Sequence, residues 1–238
     1  MFIENSKVLI IGGSSGIGLG IAMTCSDNNA QVTIASRSED KLKSSFKKLK
    51  NCAGYEVVDV LSSESIESLF SRIGKIDHLI VTSGAVTSKK FNELSEEDAR
   101  LDFDLNFWGK FNVVKLGEPY INKNGSITFI SGAFAKRPNS NVFITSISVS
   151  AVESMAKTLA LSLSPIRVNV ISPYVIDTNQ VSEGSISEER REFIKATAEK
   201  LPSQCVGTPH EIGEAVAMVM SNPYITGSVI AIDGGYTI

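Results

Sequence analysis

A chain of 238 residues with 42% hydrophobic, 21% charged and 7% aromatic content is long enough to bury one large core and shows no compositional sign of disorder. Its net charge of −3, with no dense Lys/Arg face, argues against a nucleic-acid partner, whose phosphates call for clustered cations. Cys25, Cys52 and Cys205 are few, odd in number and far apart, which fits reduced thiols rather than a disulfide framework or a zinc site; with no leader segment or bilayer-spanning run read from the sequence, a cytoplasmic protein without metal or membrane is expected.

The first element is a strand, Lys7 to Ile11, followed at once by Gly12-Gly13-Ser14-Ser15-Gly16-Ile17-Gly18 and then by a helix pattern through Leu19, Ile21, Ala22 and Cys25. A strand, a glycine turn and a helix N-terminus together make a phosphate cradle. Glycine lets the backbone approach an anion closely, and the free N–H groups and dipole of the helix start attract it. The spacing is G-x-x-x-G-x-G rather than G-x-G-x-x-G, so the reading rests on the flanking strand and helix.

A second strand is expected at Gln31 to Ser36, a helix over Glu39 to Lys50, a third strand at Glu56 to Val60, a third helix over Ser63 to Ile73 and a fourth strand at Ile76 to Val81. A long helical stretch follows from about Ser95 to Tyr120, then a strand at Ser126 to Ile130 and a helix over Val142 to Leu163. Pro165 precedes the strand Arg167 to Ile171; a looser segment, Pro173 to Ile186, leads to helices over Ser187 to Lys200 and Pro209 to Met220, and Val229 to Ile232 closes the sheet. Short apolar strands alternating with helices imply a parallel α/β sheet covered on both faces. Neither repeat nor linker divides it, so residues 1–238 read as a single domain.

Several separated segments resemble the short-chain dehydrogenase/reductase family: Gly12, Gly16 and Gly18; Asp59; Asn106; Arg167 to Pro173; Gly207-Thr208-Pro209; and Thr226-Gly227 through Gly235. The resemblance implies a Rossmann-type doubly wound sheet with a dinucleotide across the carboxyl ends of its strands. It assigns Gly12, Ser14, Ser15, Gly16, Ile17 and Gly18 to the pyrophosphate, Asp59 to the adenine amino group, Gly84 to close cofactor approach, and Pro173, Ile176 and Thr178 to the nicotinamide end. Where NAD-dependent members place an acid after the second strand, this chain has Ser36 and Arg37. A guanidinium neutralises a 2′-phosphate with no anion beside it, so NADP(H) is expected over NAD(H).

The family's catalytic Ser, Tyr and Lys are missing. Alignment on Ala151 to Met155 puts Gly132 at the Ser position, Thr145 at the Tyr position and Val149 at the Lys position; Asn106 alone keeps the family's residue type. An aliphatic hydroxyl is far too weak an acid to replace a phenol activated by an ammonium. Asn106 is read as stabilising a kink in its helix. Tyr174, where the family usually has Gly, either enters the site with its phenol or packs on the segment below it. Ser131, Ser146 and Ser148 neighbour the vacant positions but face other ways, Lys136 and Arg137 are loop cations, and His78 and His210 read as structural.

Two functions of different classes follow. One is an NADP(H)-dependent oxidoreductase with an altered site, acting on a substrate such as an activated double bond or an iminium that needs little acid catalysis. The other is a nucleotide-binding protein without redox turnover: a regulatory or scaffold subunit, or an isomerase or cyclase. Family members commonly form homodimers and homotetramers through the long middle helix and the helix that bears the catalytic Tyr, and Phe103, Leu105, Phe107, Trp108 and Phe111 on the former fit either that interface or the core. The loop from Asn179 to Ile186, which should shape a substrate pocket, carries no recognisable chemistry.

Overall fold

The computed structural model describes residues 3–181 and 187–238. Seven strands form one parallel sheet: β1 (Lys7–Ile11), β2 (Gln31–Ser36), β3 (Cys52–Val57), β4 (Ile76–Val81), β5 (Ile121–Ile130), β6 (Arg167–Pro173) and β7 (Val229–Ile232). Their order is β3-β2-β1-β4-β5-β6-β7. The winding therefore reverses beside β1, whose residues Val8 to Ile11 pair with Val32 to Ala35 on one side and with His78 to Val81 on the other. This is the doubly wound α/β architecture the sequence implies. A crevice opens at the carboxyl ends of β1 and β4 because the following connections leave toward opposite faces.

Helices α1 (Gly16–Asp27), α2 (Glu39–Phe46) and α8 (Pro209–Ser221) cover one face; α3 (Ser63–Ile73), α4 (Glu96–Phe103), α5 (Gly109–Gly117) and α6 (Phe143–Ser162) lie on the other, and α7 (Glu188–Ala198) is peripheral. Central strands are buried on both sides, which is why they read as continuous apolar runs rather than alternating ones. Val8 and Ile10 pack with Ile21, Ala22, Ile212 and Val216, while Leu9 and Ile11 pack with Ile66, Phe70, Val113 and Val152. Helices α1 and α8 meet through Gly20, where a Cβ would stand 2.2 Å from that of Pro209.

The motif Arg167 to Pro173 is structural. The Arg167 guanidinium donates to the carbonyls of Val219 (2.7 Å), Met220 (2.7 Å) and Ile225 (3.0 Å), satisfying the end of α8. Asn169 donates to Ile225 O (2.9 Å) and accepts from Ser228 N (3.1 Å), tying β6 to the turn before β7.

Several expected boundaries move, and the fifth strand begins at Ile121 rather than Ser126. The third strand is Cys52–Val57 rather than Glu56 to Val60, because pairing with β2 ends at Ser36↔Val57 and the chain then turns over the sheet, burying Val58 and Val60. The second helix stops at Phe46. The stretch from Ser95 to Tyr120 is interrupted by one wide π turn at Asp104–Trp108, which carries Asn106 at its centre. Although no bilayer-spanning run is expected from the sequence, residues Ser140–Ser162 are long and apolar enough to cross a membrane by composition. In the fold α6 buries Ile144, Val149, Val152 and Ala156, the last two within the core under the sheet.

Candidate functional site

Two adjoining cavities open along the carboxyl ends of the strands. The larger, about 430 Å³, is lined by Gly12, Ser14, Ser15, Ile17, Gly18, Ser36, Arg37, Val58, Val60, Ser83, Gly84, Leu105 and Thr178 among others. The smaller, about 300 Å³, is lined by Asn106, Lys110, Ser131, Gly132, Phe134, Thr145, Val149, Pro173 and Tyr174, and shares Ile17 and Thr82 to Ala85 with the first. The fold thus joins segments from eight places in the chain.

The glycine turn is built by necessity. Gly12 holds φ +88°, and a Cβ there would meet Thr82 Oγ1 at 2.3 Å; a Cβ on Gly18 would meet Gly12 O at 2.2 Å. Only glycine permits this turn to fold back against β4 and start α1. Ser15, at the N-cap of α1, makes no side-chain cap bond, and no acid stands in the first turn. By contrast α2, α3, α4 and α7 each have a capping serine and an acid there. The positive end of α1 is therefore open toward the cleft.

Two residues lining this cleft, Ser36 and Ser83, each carry a buried Oγ with no hydrogen-bond partner among the described residues. A buried hydroxyl left unpaired costs about 1–3 kcal/mol, so such groups call for an external partner. Ser36 ends β2 and Arg37 follows it, placing a free hydroxyl and a guanidinium together at one end of the crevice.

Asp59 and Ile176 are less directly placed. Asp59 is exposed, its Oδ1 accepts from Leu61 N at 3.0 Å, and its neighbours Val58 and Val60 form the wall instead. Ile176 is buried in a bridge to Gly207. Part of the loop from Asn179 to Ile186, namely 182–186, lies outside the described residues.

Around the smaller cavity the polar groups form one network. Asp102, on α4, is 1% exposed. It accepts from Thr145 Oγ1 (2.6 Å), Ser148 Oγ (2.5 Å) and Asn106 Nδ2 (2.9 Å). Thr145 also accepts from Thr87 N at 2.9 Å. Asn106 grips Ala85 from both sides, accepting from its N–H (3.1 Å) and donating to its carbonyl (2.9 Å). The π turn and this clamp fix the backbone after β4 that walls both cavities.

Gly132 and Val149 face each other across an apolar gap, with 4.0 Å between a Cβ built on Gly132 and Val149 Cγ1. Ser131 Oγ turns away to Glu153 Oε1 (2.9 Å), whose carboxyl burial pushes above the usual range. Tyr174 stacks on Tyr236 with ring centroids 3.7 Å apart, and Phe134 stands edge-on to both. Arg137 lies over the Tyr236 ring and donates to its carbonyl at 2.6 Å. Burial and the neighbouring Tyr236 raise the Tyr174 phenol above its ordinary pKa.

Sequence reasoning passed over Lys110. It lies one turn after Asn106 on α5, is 2% exposed, and donates to the carbonyl of Ser83. Burial pushes its ammonium down to about 7, against the opposing pull of Asp102. The available signal was a lysine spaced i+4 from Asn106, on the face the asparagine turns inward.

Similarity to known proteins spans nearly the whole chain. Residues 12–237 match the sequence model of a family described as Enoyl-(Acyl carrier protein) reductase. A short-chain dehydrogenase/reductase of Stachybotrys chlorohalonatus is 29% identical over 98% of this chain and 97% of its own. The 3-oxoacyl-(acyl-carrier-protein) reductase of Thermotoga maritima is 30% identical over 100% of both. Among solved structures, a small-chain dehydrogenase in complex with NADPH superposes with a TM-score of 0.83 at 31% identity, covering 98% of each chain. A short-chain oxidoreductase of Pseudomonas aeruginosa described as containing an atypical catalytic center shares the fold, with a TM-score of 0.89 at 22% identity over 99% of this chain and 98% of its own.

Proposed function

Since this chain belongs to the short-chain dehydrogenase/reductase family, we propose that it is an NADP(H)-binding oxidoreductase whose proton chemistry differs from the family's usual Ser-Tyr-Lys arrangement. The observation that carries the cofactor reading is the pair of unpartnered buried hydroxyls, Ser36 and Ser83, in the wall of the larger cavity. They fit a dinucleotide, with Arg37 and Ser36 holding the 2′-phosphate and the open N-terminus of α1 holding the pyrophosphate. When bound, NADP(H) supplies the hydride. Gly84 and Ala85, fixed by Asn106, set the floor at the nicotinamide end, and Ile17, Val149 and Phe134 keep that end apolar.

Titration with NADPH and NADH, followed by nucleotide fluorescence and repeated with Arg37→Ala, tests the reading. NADPH is expected to bind more tightly than NADH, and Arg37→Ala to weaken NADPH alone by about tenfold or more, the effect of losing a charge-assisted pair of about 1.5–3 kcal/mol. Absence of binding to either nucleotide rejects it.

A second reading, nucleotide binding without redox turnover, is favoured by Thr145, whose hydroxyl is spent on Asp102 and Thr87 rather than offered to a substrate. NADPH consumption with carbonyl, enone and imine compounds separates the two. In either case we infer a cytoplasmic homodimer or homotetramer. The exposed Trp108 and Phe111, edge-to-face where the π turn runs into α5, would supply the contact, and Trp108→Glu should dissociate it in sedimentation.

A further inference from the structure

When a hydride adds to a C=O or an activated C=C, the displaced electron pair must take up one proton. The residues at the family's Tyr and Lys positions cannot supply it: Thr145 is an aliphatic hydroxyl whose hydrogen bond is donated to Asp102, and Val149 has no proton to give. The described residues of this cavity nevertheless include one ammonium. Lys110, on α5, lines the cavity wall.

The placement of Lys110 is unusual for a lysine. Its side chain is almost wholly buried, yet no carboxylate among the described residues lies within ion-pair distance of it. Its hydrogen bond goes to the backbone carbonyl of Ser83, and an ammonium has three N–H donors. Asp102 on α4 is the charged group that acts on it. The other polar side chains of the network are neutral: Asn106 on its own helix run, and Thr145 and Ser148 on α6. A lysine kept from water without a paired carboxylate exchanges its proton near neutrality, where an exposed one would hold it. A structural bond to a loop carbonyl would not call for a charged group here, since a buried unpaired charge is costly.

We propose that Lys110 is the proton donor of this site, delivering its Nζ proton to the atom that receives the displaced electron pair in the smaller cavity. In that step the Nζ–H bond breaks and an O–H or C–H bond forms on the substrate. The electron pair comes from the substrate's own π bond as the reduced nicotinamide's hydride adds, and the amine is left neutral and regains its proton from water. The substrate class is then an aldehyde, ketone or enone small enough for about 300 Å³. This inference rests on the nucleotide reading proposed above, but its first test does not.

Protein carrying 15Nζ-lysine is titrated by NMR without nucleotide, alongside Lys110→Met to assign the resonance. One Nζ, absent from the variant, is expected to titrate near pH 7; a Lys110 that titrates in the ordinary lysine range overturns the proposal by itself. The second arm follows NADPH consumption with an aldehyde or enone and with a preformed cyclic iminium salt, which accepts a hydride and needs no proton. Lys110→Met is expected to lower kcat on the enone about 10²–10⁴-fold while leaving iminium reduction near that of the parent protein. Lys110→Arg, which keeps the charge and the bond to Ser83 but cannot release a proton, should lose enone reduction equally. Enone turnover retained in Lys110→Arg, or equal loss with both acceptors, overturns it. Failure of the parent protein to bind NADPH strikes the nucleotide reading instead, and the NMR result then still decides the state of Lys110.

Discussion

Thr145 Oγ1 donates to Asp102 Oδ2 at 2.6 Å, deep between α6 and α4, and in the same position accepts from Thr87 N at 2.9 Å. Both capacities of the hydroxyl are thereby used inside the protein. Thr145 is therefore part of the scaffold. It braces α6 against α4, which runs on into the π turn and α5 that carry Asn106 and Lys110.

Thr145→Val is accordingly expected to cost stability rather than binding. It leaves Asp102 with one donor fewer and the Thr87 N–H unpaired, a loss of about 1–3 kcal/mol. Urea unfolding measures the first quantity and NADPH titration the second. A variant as stable as the parent protein would show that the network is not holding the helices.

Gly18→Ala should act in the opposite way, on the cleft. The added methyl would lie 2.2 Å from Gly12 O and 2.7 Å from Thr82 Oγ1, so the turn must open. Overpacking of this kind costs about 1–3 kcal/mol, and NADPH affinity should fall more than far-UV circular dichroism changes. Unaltered affinity would mean that the turn is not the cradle.

Tyr174 offers a clean comparison. A phenol acting as the acid would be worth about 10²–10⁴-fold in rate. Its ring is instead stacked on Tyr236 at 3.7 Å, and its pKa is raised, so Tyr174→Phe should retain NADPH consumption and Tyr174→Ala should lower thermal stability through lost stacking. A large rate loss in Tyr174→Phe would restore the phenol to the chemistry.

Stability should also depend on pH through His78. Buried beside β5 and paired with Ser126 Oγ at 2.8 Å, it is held neutral by desolvation, its pKa lowered from 6.5 to about 4. The unfolded chain binds the proton more readily, so its contribution is fully present above about pH 6.5 and is lost as pH falls toward 4. The shift corresponds to about 3 kcal/mol. Unfolding free energies at pH 7.5 and 4.5 should differ more for the parent protein than for His78→Gln; equal pH dependence would remove the histidine from the account.

The amino-acid sequence by itself determined the fold class, the glycine turn between β1 and α1, Arg37 at the end of β2 and the bounds of β2, β4 and β7. These are local properties: a buried parallel strand must be apolar throughout, and a turn that folds onto its own strand must be glycine. The same local logic placed Thr145 and Val149 on one face of α6, four residues apart. What only the tertiary structure decided lies between elements distant in the chain. Asp102 and Lys110 look like surface charges on amphipathic helices until α4, α5 and α6 close over them, and Tyr174 remains ambiguous until Tyr236, 62 positions later in the sequence, covers its ring. Burial of a charge depends on what the rest of the chain packs around it, and no spacing within a single helix carries that information.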